Sequence, residues 1–201
     1  MSKISVIIPY NIDRGYLDEA ILSAAKQTHR GVQIVPVHSD ANLSTNINKG
    51  IRLATGDWIK ILAEDDLLPP DSLTILWELA KTGKFDWVYG DAQNFGMDNT
   101  LHVGKEQVTL EIMLKSNLIH GGSPLYHRRC FEETGGFDED LPSREEYDFH
   151  LKLLNRGYRR GYVPGTVYLY RAHLACKSLW TKDKGLREEL NEKIRKRYTT
   201  D

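Results

Sequence analysis

Asp57-Trp58-Ile59-Lys60-Ile61-Leu62-Ala63-Glu64-Asp65-Asp66 decides how this chain is read. The first six residues alternate like a strand, and the last three are consecutive carboxylates. A strand that ends in acids sets them at the carboxyl edge of a sheet, where open α/β folds bind ligands. Adjacent carboxylates repel unless a cation or hydrogen-bond donors compensate. The cluster is therefore a candidate for holding a divalent metal on a phosphorylated ligand. Taken alone, it would sooner be a solvated turn before Pro69-Pro70, with an aspartate capping the next helix. The segments around it reverse that weighting.

On the amino-terminal side, Ile4-Ser5-Val6-Ile7-Ile8 is a β-branched run ended by Pro9, as in a buried parallel strand. Leu17, Ala20, Ile21 and Ala24 give residues 16–26 a helical spacing. Residues 32–37 read as a second strand, and Pro36 marks it as an edge or an irregular end. A second helix runs from about Asn42 to Ala54, where Gly56 stops it. Past the acids, Pro69-Pro70-Asp71-Ser72 opens a third helix that Gly83 ends, and residues 86–89 form a fourth strand. This alternation predicts an α/β fold with a mostly parallel central sheet flanked by helices.

The second half is less regular. Residues 94–104 read as a loop or hairpin, 109–114 as a short helix and 124–127 as a strand. Residues 144–156 form an amphipathic helix, 158–170 one or two strands, and 183–198 a charged helix lying on the surface or on a neighbour.

Lys+Arg is 27 and Asp+Glu is 28, a net charge of -1 that excludes the basic excess of nonspecific nucleic-acid binding. The two cysteines, Cys130 and Cys176, fit no metal spacing and read as reduced cytosolic thiols. No apolar run approaches the ~20 residues of a membrane span, and Met-Ser-Lys-Ile-Ser is not a signal-peptide start. A cytoplasmic location is expected.

Six segments in order resemble the inverting glycosyltransferases of the GT-A fold, family 2 type, over about Ile4 to Ser178. Val6-Ile7-Ile8-Pro9-Tyr10-Asn11 resembles the opening strand and base-contacting loop. Asn48-Lys49-Gly50-Ile51-Arg52-Leu53-Ala54-Thr55-Gly56-Asp57-Trp58-Ile59 resembles the helix and turn into the metal strand, and Leu62-Ala63-Glu64-Asp65-Asp66 the acidic motif. Gly135-Gly136-Phe137-Asp138-Glu139 and Glu145-Glu146-Tyr147-Asp148 resemble the acceptor-side loop and the base-bearing helix. Tyr170-Arg171-Ala172-His173 resembles the late motif near the diphosphate.

The resemblance implies a GT-A (Rossmann-like, nucleotide-diphospho-sugar transferase) fold and a transferase that moves a sugar from a nucleoside-diphosphate sugar to a glycan hydroxyl. A UDP-sugar is the expected donor, for example UDP-glucose or a UDP- or dTDP-rhamnose, and a saccharide the expected acceptor. It places Mn²⁺ or Mg²⁺ on Asp66 with His173, and Asp65 on the ribose, or the two aspartates exchanged. Pro9, Tyr10, Asn11, Ser39, Asp40, Asn48 and Arg171 would contact the nucleotide sugar, with Lys177 a further cation nearby. Glu146 falls at the general base, which takes the acceptor proton as the hydroxyl attacks. One direct displacement inverts the anomeric carbon.

Three departures stand out. Ala63 replaces the usual first aspartate of the metal motif, Ile47 replaces a common arginine, and His38-Ser39 stand where an acidic pair is usual, with Asp40 displaced. The alternatives are a nucleotidyltransferase that makes nucleotide sugars and an inactive nucleotide-sugar-binding module. The first needs a basic glycine-rich loop, of which Asn11-Ile12-Asp13-Arg14-Gly15 is a poor version. The loss of the acid at Ala63 motivates the second.

Residue by residue, plainer readings also weigh in. Trp58, Trp77 and Trp87 are expected in the core, Trp180 over the acceptor, and Arg128-Arg129 in water. His120, His127 and His150 have no metal-like spacing and receive no role. One glycosyltransferase domain is expected over residues 1–180, with 1–93 the nucleotide half and 94–180 the acceptor half. Residues 181–201 form a terminal helix that could lead to further domains of a longer polypeptide.

Overall fold

The computed structural model describes residues 3–173 and 184–199. Lys177, Trp180 and Cys176, singled out above, lie outside them. The first half follows the predicted alternation: β1 (Ile4–Tyr10), α1 (Leu17–Ala25), β2 (Val32–His38), α2 (Leu43–Leu53), β3 (Trp58–Ile61), α3 (Ser72–Ala80) and β4 (Trp87–Gly96). The second half comprises β5 (Leu101–His102), α4 (Leu110–Lys115), β6 (Leu125–His127), α5 (Arg129–Glu132), α6 (Glu145–Asn155), β7 (Arg160–Ala172) and α7 (Lys184–Lys196).

The sheet runs β2-β1-β3-β6-β4-β5, with β7 along the other edge of β4. β1 pairs in parallel with both β2 and β3, and β7 pairs in parallel with β4. β6 is an antiparallel wedge between β3 and β4. The sheet is thus mostly parallel, as expected. β2 is its edge, which accommodates Pro36 and its missing N–H donor.

Side chains of β1 alternate between two cores. Ile4, Val6 and Ile8 pack with α1 and α3 on one face, and Ile7 packs with α2 and α6 on the other. Burial on both faces is why the strand, Ser5 apart, is apolar rather than alternating. Gly50 lets α2 settle on the sheet, since a Cβ there would lie 2.3 Å from Ile7 Cγ2.

Two readings left open by the sequence are resolved and two expectations are revised. Residues 94–104 form a hairpin, because β4 continues to Gly96 and pairs with β5. Residues 158–170 belong to one strand, with a register shift against β4 near Gly165, whose φ is +124°. The terminal helix has its neighbour within the domain. Leu190 and Ile194 are buried, Asn191 Oδ1 accepts from Arg144 Nε (2.8 Å), and Arg197 donates to Asp138 (2.7 Å) and Asp148 (3.0 Å).

The second revision concerns Arg128-Arg129, which do not face water alone. The Arg128 guanidinium donates to the carbonyls of Gly56, Ile51 and Ala54, at 2.9, 3.2 and 2.7 Å. Those carbonyls at the end of α2 would otherwise lack partners. Arg129 pairs with Asp86, whose side chain is buried.

Candidate active site

The acidic residues leave β3 on a loop stapled to β7. Leu67 and Leu169 exchange both backbone hydrogen bonds, at 3.0 and 2.9 Å. That pairing brings the late motif, more than a hundred residues downstream, against the acids.

Asp66 is 2% exposed. Its Oδ2 accepts from the Tyr168 hydroxyl (2.6 Å) and its Oδ1 from the Arg171 backbone N–H (2.7 Å). Burial, and then the charge of Asp65, push its carboxyl well above the usual carboxylate range. The two donors act in the opposite direction. Asp65 is more open and faces His173, with Oδ2 and Nε2 3.0 Å apart. Glu64 forms an ion pair with Arg14, and burial raises its pKa despite that partner.

Arg171 braces the loop. Its Nε donates to the Asp65 carbonyl (2.7 Å), and a terminal nitrogen donates to Glu19 (2.6 Å). The guanidinium lies 4.4 Å from the Tyr16 ring centroid and 4.6 Å from that of Phe95. Such stacking suits a planar cation. Tyr16 also meets the His173 ring, at 5.3 Å between centroids.

The proposed base-contacting residues sit at the ends of β1 and β2. Tyr10 and His38 are register partners with ring centroids 4.9 Å apart. Asn46, which sequence reasoning passed over, ties the strand ends together through the carbonyls of Tyr10 (3.3 Å) and Ser39 (3.1 Å). The Ser39 hydroxyl is spent on the Asn46 carbonyl oxygen. Pro9 is buried, and Asn11 and Asp40 are exposed.

Asn48 faces elsewhere. Its amide donates to the Phe137 carbonyl (2.9 Å) and Glu139 (2.8 Å) and accepts from the Phe137 N–H (3.0 Å). All of these contacts pin the Gly136-to-Glu139 loop onto α2.

Glu146 stands in the first turn of α6, where the helix dipole favours a carboxylate. Its side chain lies over Gly121, where a Cβ would come within 3.0 Å of the Glu146 carboxyl carbon. Burial raises its pKa, and burial followed by Glu146 raises that of Glu145 to about 8. A carboxyl tuned upward is suited to accepting a proton near neutral pH. Arg144, the residue before α6, has φ +68° and is held by Asn191.

Asp65, Asp66, Arg171 and His173 therefore come together, Pro9, Tyr10 and Ser39 form a strip at neighbouring strand ends, and Glu146 joins through Gly121. Tyr168 was missed, because a tyrosine within an apolar strand carries no motif. Among the described residues, no three His, Cys, Asp or Glu side chains are grouped to hold a metal by themselves. No described helix is long and apolar enough to cross a membrane.

The Glycosyl transferase family 2 model matches residues 20–141, more than half the chain. An uncharacterized glycosyltransferase of Rickettsia felis is 27% identical over 190 residues, which cover 75% of this chain and 31% of that protein. The chain thus spans about a third of the length of that relative. Among solved structures, S. aureus TarS 1–349 in complex with UDP-GlcNAc superposes with a TM-score of 0.71 at 17% identity, covering 85% of this chain and 59% of that one. The mannosyltransferase PcManGT from Pyrobaculum calidifontis, in complex with GDP-Man and Mn²⁺, gives 0.65 at 17% identity, covering 89% and 59%. These likenesses identify the fold as GT-A. With the family model matched over more than half of its length, the chain belongs to glycosyl transferase family 2.

Proposed function

We propose that this domain transfers a sugar from a UDP-sugar to a saccharide hydroxyl in one displacement that inverts the anomeric carbon. The observation that carries the reading is the facing pair Asp65 and His173 at the strand end, 3.0 Å apart. A carboxylate oxygen and an imidazole nitrogen this close suit a shared divalent ion, Mn²⁺ or Mg²⁺. Bound there, the ion would neutralise charge on the departing diphosphate.

This geometry favours Asp65 for the ion, as in the exchanged assignment, but leaves Asp66 to the loop and not to the ribose. Asp65 with His173 would hold the ion, since Asp65 is the more open of the two and Asp66 is 2% exposed with a protein donor on each oxygen. Asp66 then fixes the loop from below. With Ala63 in place of the usual acid, this chain would offer the ion no further carboxylate from that position. Arg171 keeps Asp65 in place and adds positive charge beside the diphosphate. Tyr10 and His38 flank the base, and Glu146 takes the acceptor proton.

The complex of TarS with UDP-GlcNAc supports a UDP-sugar donor, and that of PcManGT with GDP-Man makes a GDP-sugar the competitor to test. The test is a thermal-shift panel of UDP-GlcNAc, UDP-glucose and GDP-Man with and without Mn²⁺, since a ligand of the native state raises its melting temperature. A Mn²⁺-dependent shift with a UDP-sugar, lost in Asp65→Ala, is expected. No shift with any nucleotide sugar sinks the proposal. Glu146→Gln should keep the shift and lose transfer, which separates an enzyme from an inactive binding module.

A further inference from the structure

Lys60 lies in the opening stretch, is not used by the site, and is fully buried. It occupies β3 between Ile59 and Ile61, where an apolar side chain is ordinary. Among the described residues no carboxylate pairs with it. Its ammonium instead donates to three consecutive carbonyls, Gly122 (2.6 Å), Ser123 (2.8 Å) and Pro124 (3.2 Å). Burial pushes the Lys60 pKa well below the ordinary lysine range, while three carbonyl acceptors favour the protonated form, whose three donors serve one each. The Tyr168 ring lies beneath the cation, 5.2 Å from it. Burying a charge costs several kcal/mol even when it is well bonded, and an apolar replacement is commonly as stable. Stability alone is therefore a poor reason for a lysine here.

What the lysine holds is informative. The Gly121-Gly122 turn is clamped between the two halves of the site. A Cβ at Gly122 would lie 2.2 Å from Tyr168 Cζ, and one at Gly121 would lie 3.0 Å from the Glu146 carboxyl carbon. Tyr168 donates in turn to Asp66, and its oxygen accepts from the Ala63 N–H (3.2 Å). A continuous set of contacts thus runs from the acid loop through Tyr168, Gly122 and Gly121 to Glu146. The Lys60 ammonium sits at its midpoint.

We propose that Lys60 is a positioning residue that seats the Gly121-Gly122 turn and through it sets the place of Glu146 relative to the acid loop. The inference rests on the transferase reading for its catalytic meaning, whereas the seating of Glu146 is testable without it. In protein labelled with ¹³C at glutamate carboxyls, the Glu146 signal is assigned by Glu146→Gln and titrated in wild type and Lys60→Met. Freed from its seat, the carboxyl should admit water and titrate at least about half a pH unit closer to an ordinary glutamate. A lysine that only stabilises the fold would lower the melting temperature and leave that titration alone, which overturns the proposal.

Should Lys60→Met fail to fold, Gly121→Ala presses on the Glu146 carboxyl directly, and an unchanged titration there overturns it equally. With UDP-GlcNAc and Mn²⁺, Lys60→Met should lower kcat by about tenfold or more, with KM for the donor within about twofold. Wild-type kcat in the variant refutes the positioning role. A wild-type protein that neither binds UDP with Mn²⁺ nor turns over UDP-GlcNAc counts against the donor reading instead, and the carboxyl titration still decides Lys60.

Discussion

Tyr168→Phe removes one oxygen from the centre of the site and leaves the rest of the ring. The ring still fills the space over Gly122 and still lies beneath Lys60. The lost hydroxyl donates to Oδ2 of Asp66, which is 2% exposed, and accepts from the Ala63 N–H. Leaving the buried Asp66 oxygen without its donor costs about 1–3 kcal/mol, and the bond from the part-buried Ala63 N–H contributes about 1 kcal/mol. The expected destabilisation is therefore about 2–4 kcal/mol. For 201 residues, at about 2.1 cal/mol/K per residue, the unfolding entropy is about 0.4 kcal/mol/K, and the melting temperature should fall by about 5–9 °C. Thermal unfolding followed by circular dichroism measures this directly. The same variant should weaken Mn²⁺-dependent UDP binding, because the acid loop loses an anchor next to Asp65. A fall of under about 1 °C, with UDP affinity intact, would refute the view that this hydroxyl holds the loop.

Three further outcomes follow from the same contacts. Asn48→Ala removes three hydrogen bonds to the Gly136-to-Glu139 loop and should cost about 2–3 kcal/mol in denaturant unfolding, while UDP affinity in calorimetry stays unchanged. Arg128→Met strips three carbonyls of their donor at the end of α2 and should cost about 2 kcal/mol, read as a lower denaturation midpoint with no change in slope. Burial lowers the His150 pKa from 6.5 to about 3, so below pH 6.5 the unfolded chain binds a proton that the native state refuses. Stability from this group is complete above that pH and falls by up to about 1.4 kcal/mol per pH unit toward pH 3. Glu145, raised from 4.5 to about 8, has the opposite sign, gaining stability as pH falls from 8 to 4.5. His150→Phe keeps a ring stacked on Trp87 and should flatten the acid side of the melting-temperature profile, and an equal slope would count against a neutral buried His150.

The β-α alternation was legible because buried parallel strands and their covering helices carry strong periodic signals. Residues 4–8, 32–37 and 57–62 are such runs, and all three are strands within a residue or two. The place of β6 was not legible, since three residues carry no pairing direction, and β3 and β4 close on it only in three dimensions. At the site, the motif residues were visible as motifs. Their different surroundings were not, because the open face of Asp65 and the closed one of Asp66 depend on Tyr168 and the Arg171 N–H. Asn48 shows the reverse: a motif position whose side chain turns to a loop 89 residues away. Arg128 failed for a related reason, since an arginine that caps a helix end looks in sequence like any surface cation.

The stapling of the acid loop to β7 also fixes when the site can exist during synthesis. Asp66 emerges from the ribosome 102 residues before Tyr168 and 105 before the N–H of Arg171. At about 5–20 residues per second, the carboxylate waits roughly 5–20 s for the groups that will enclose it. Meanwhile β1, β2 and β3 can already pair with one another, whereas β4 lacks β7 along its whole free edge. A nascent chain at that stage holds a half-built sheet with an open strand and an acid cluster still in water. Closing such a long loop is entropically costly and comes late. Cation affinity of the kind proposed here is thus withheld from the growing chain until its second half has folded.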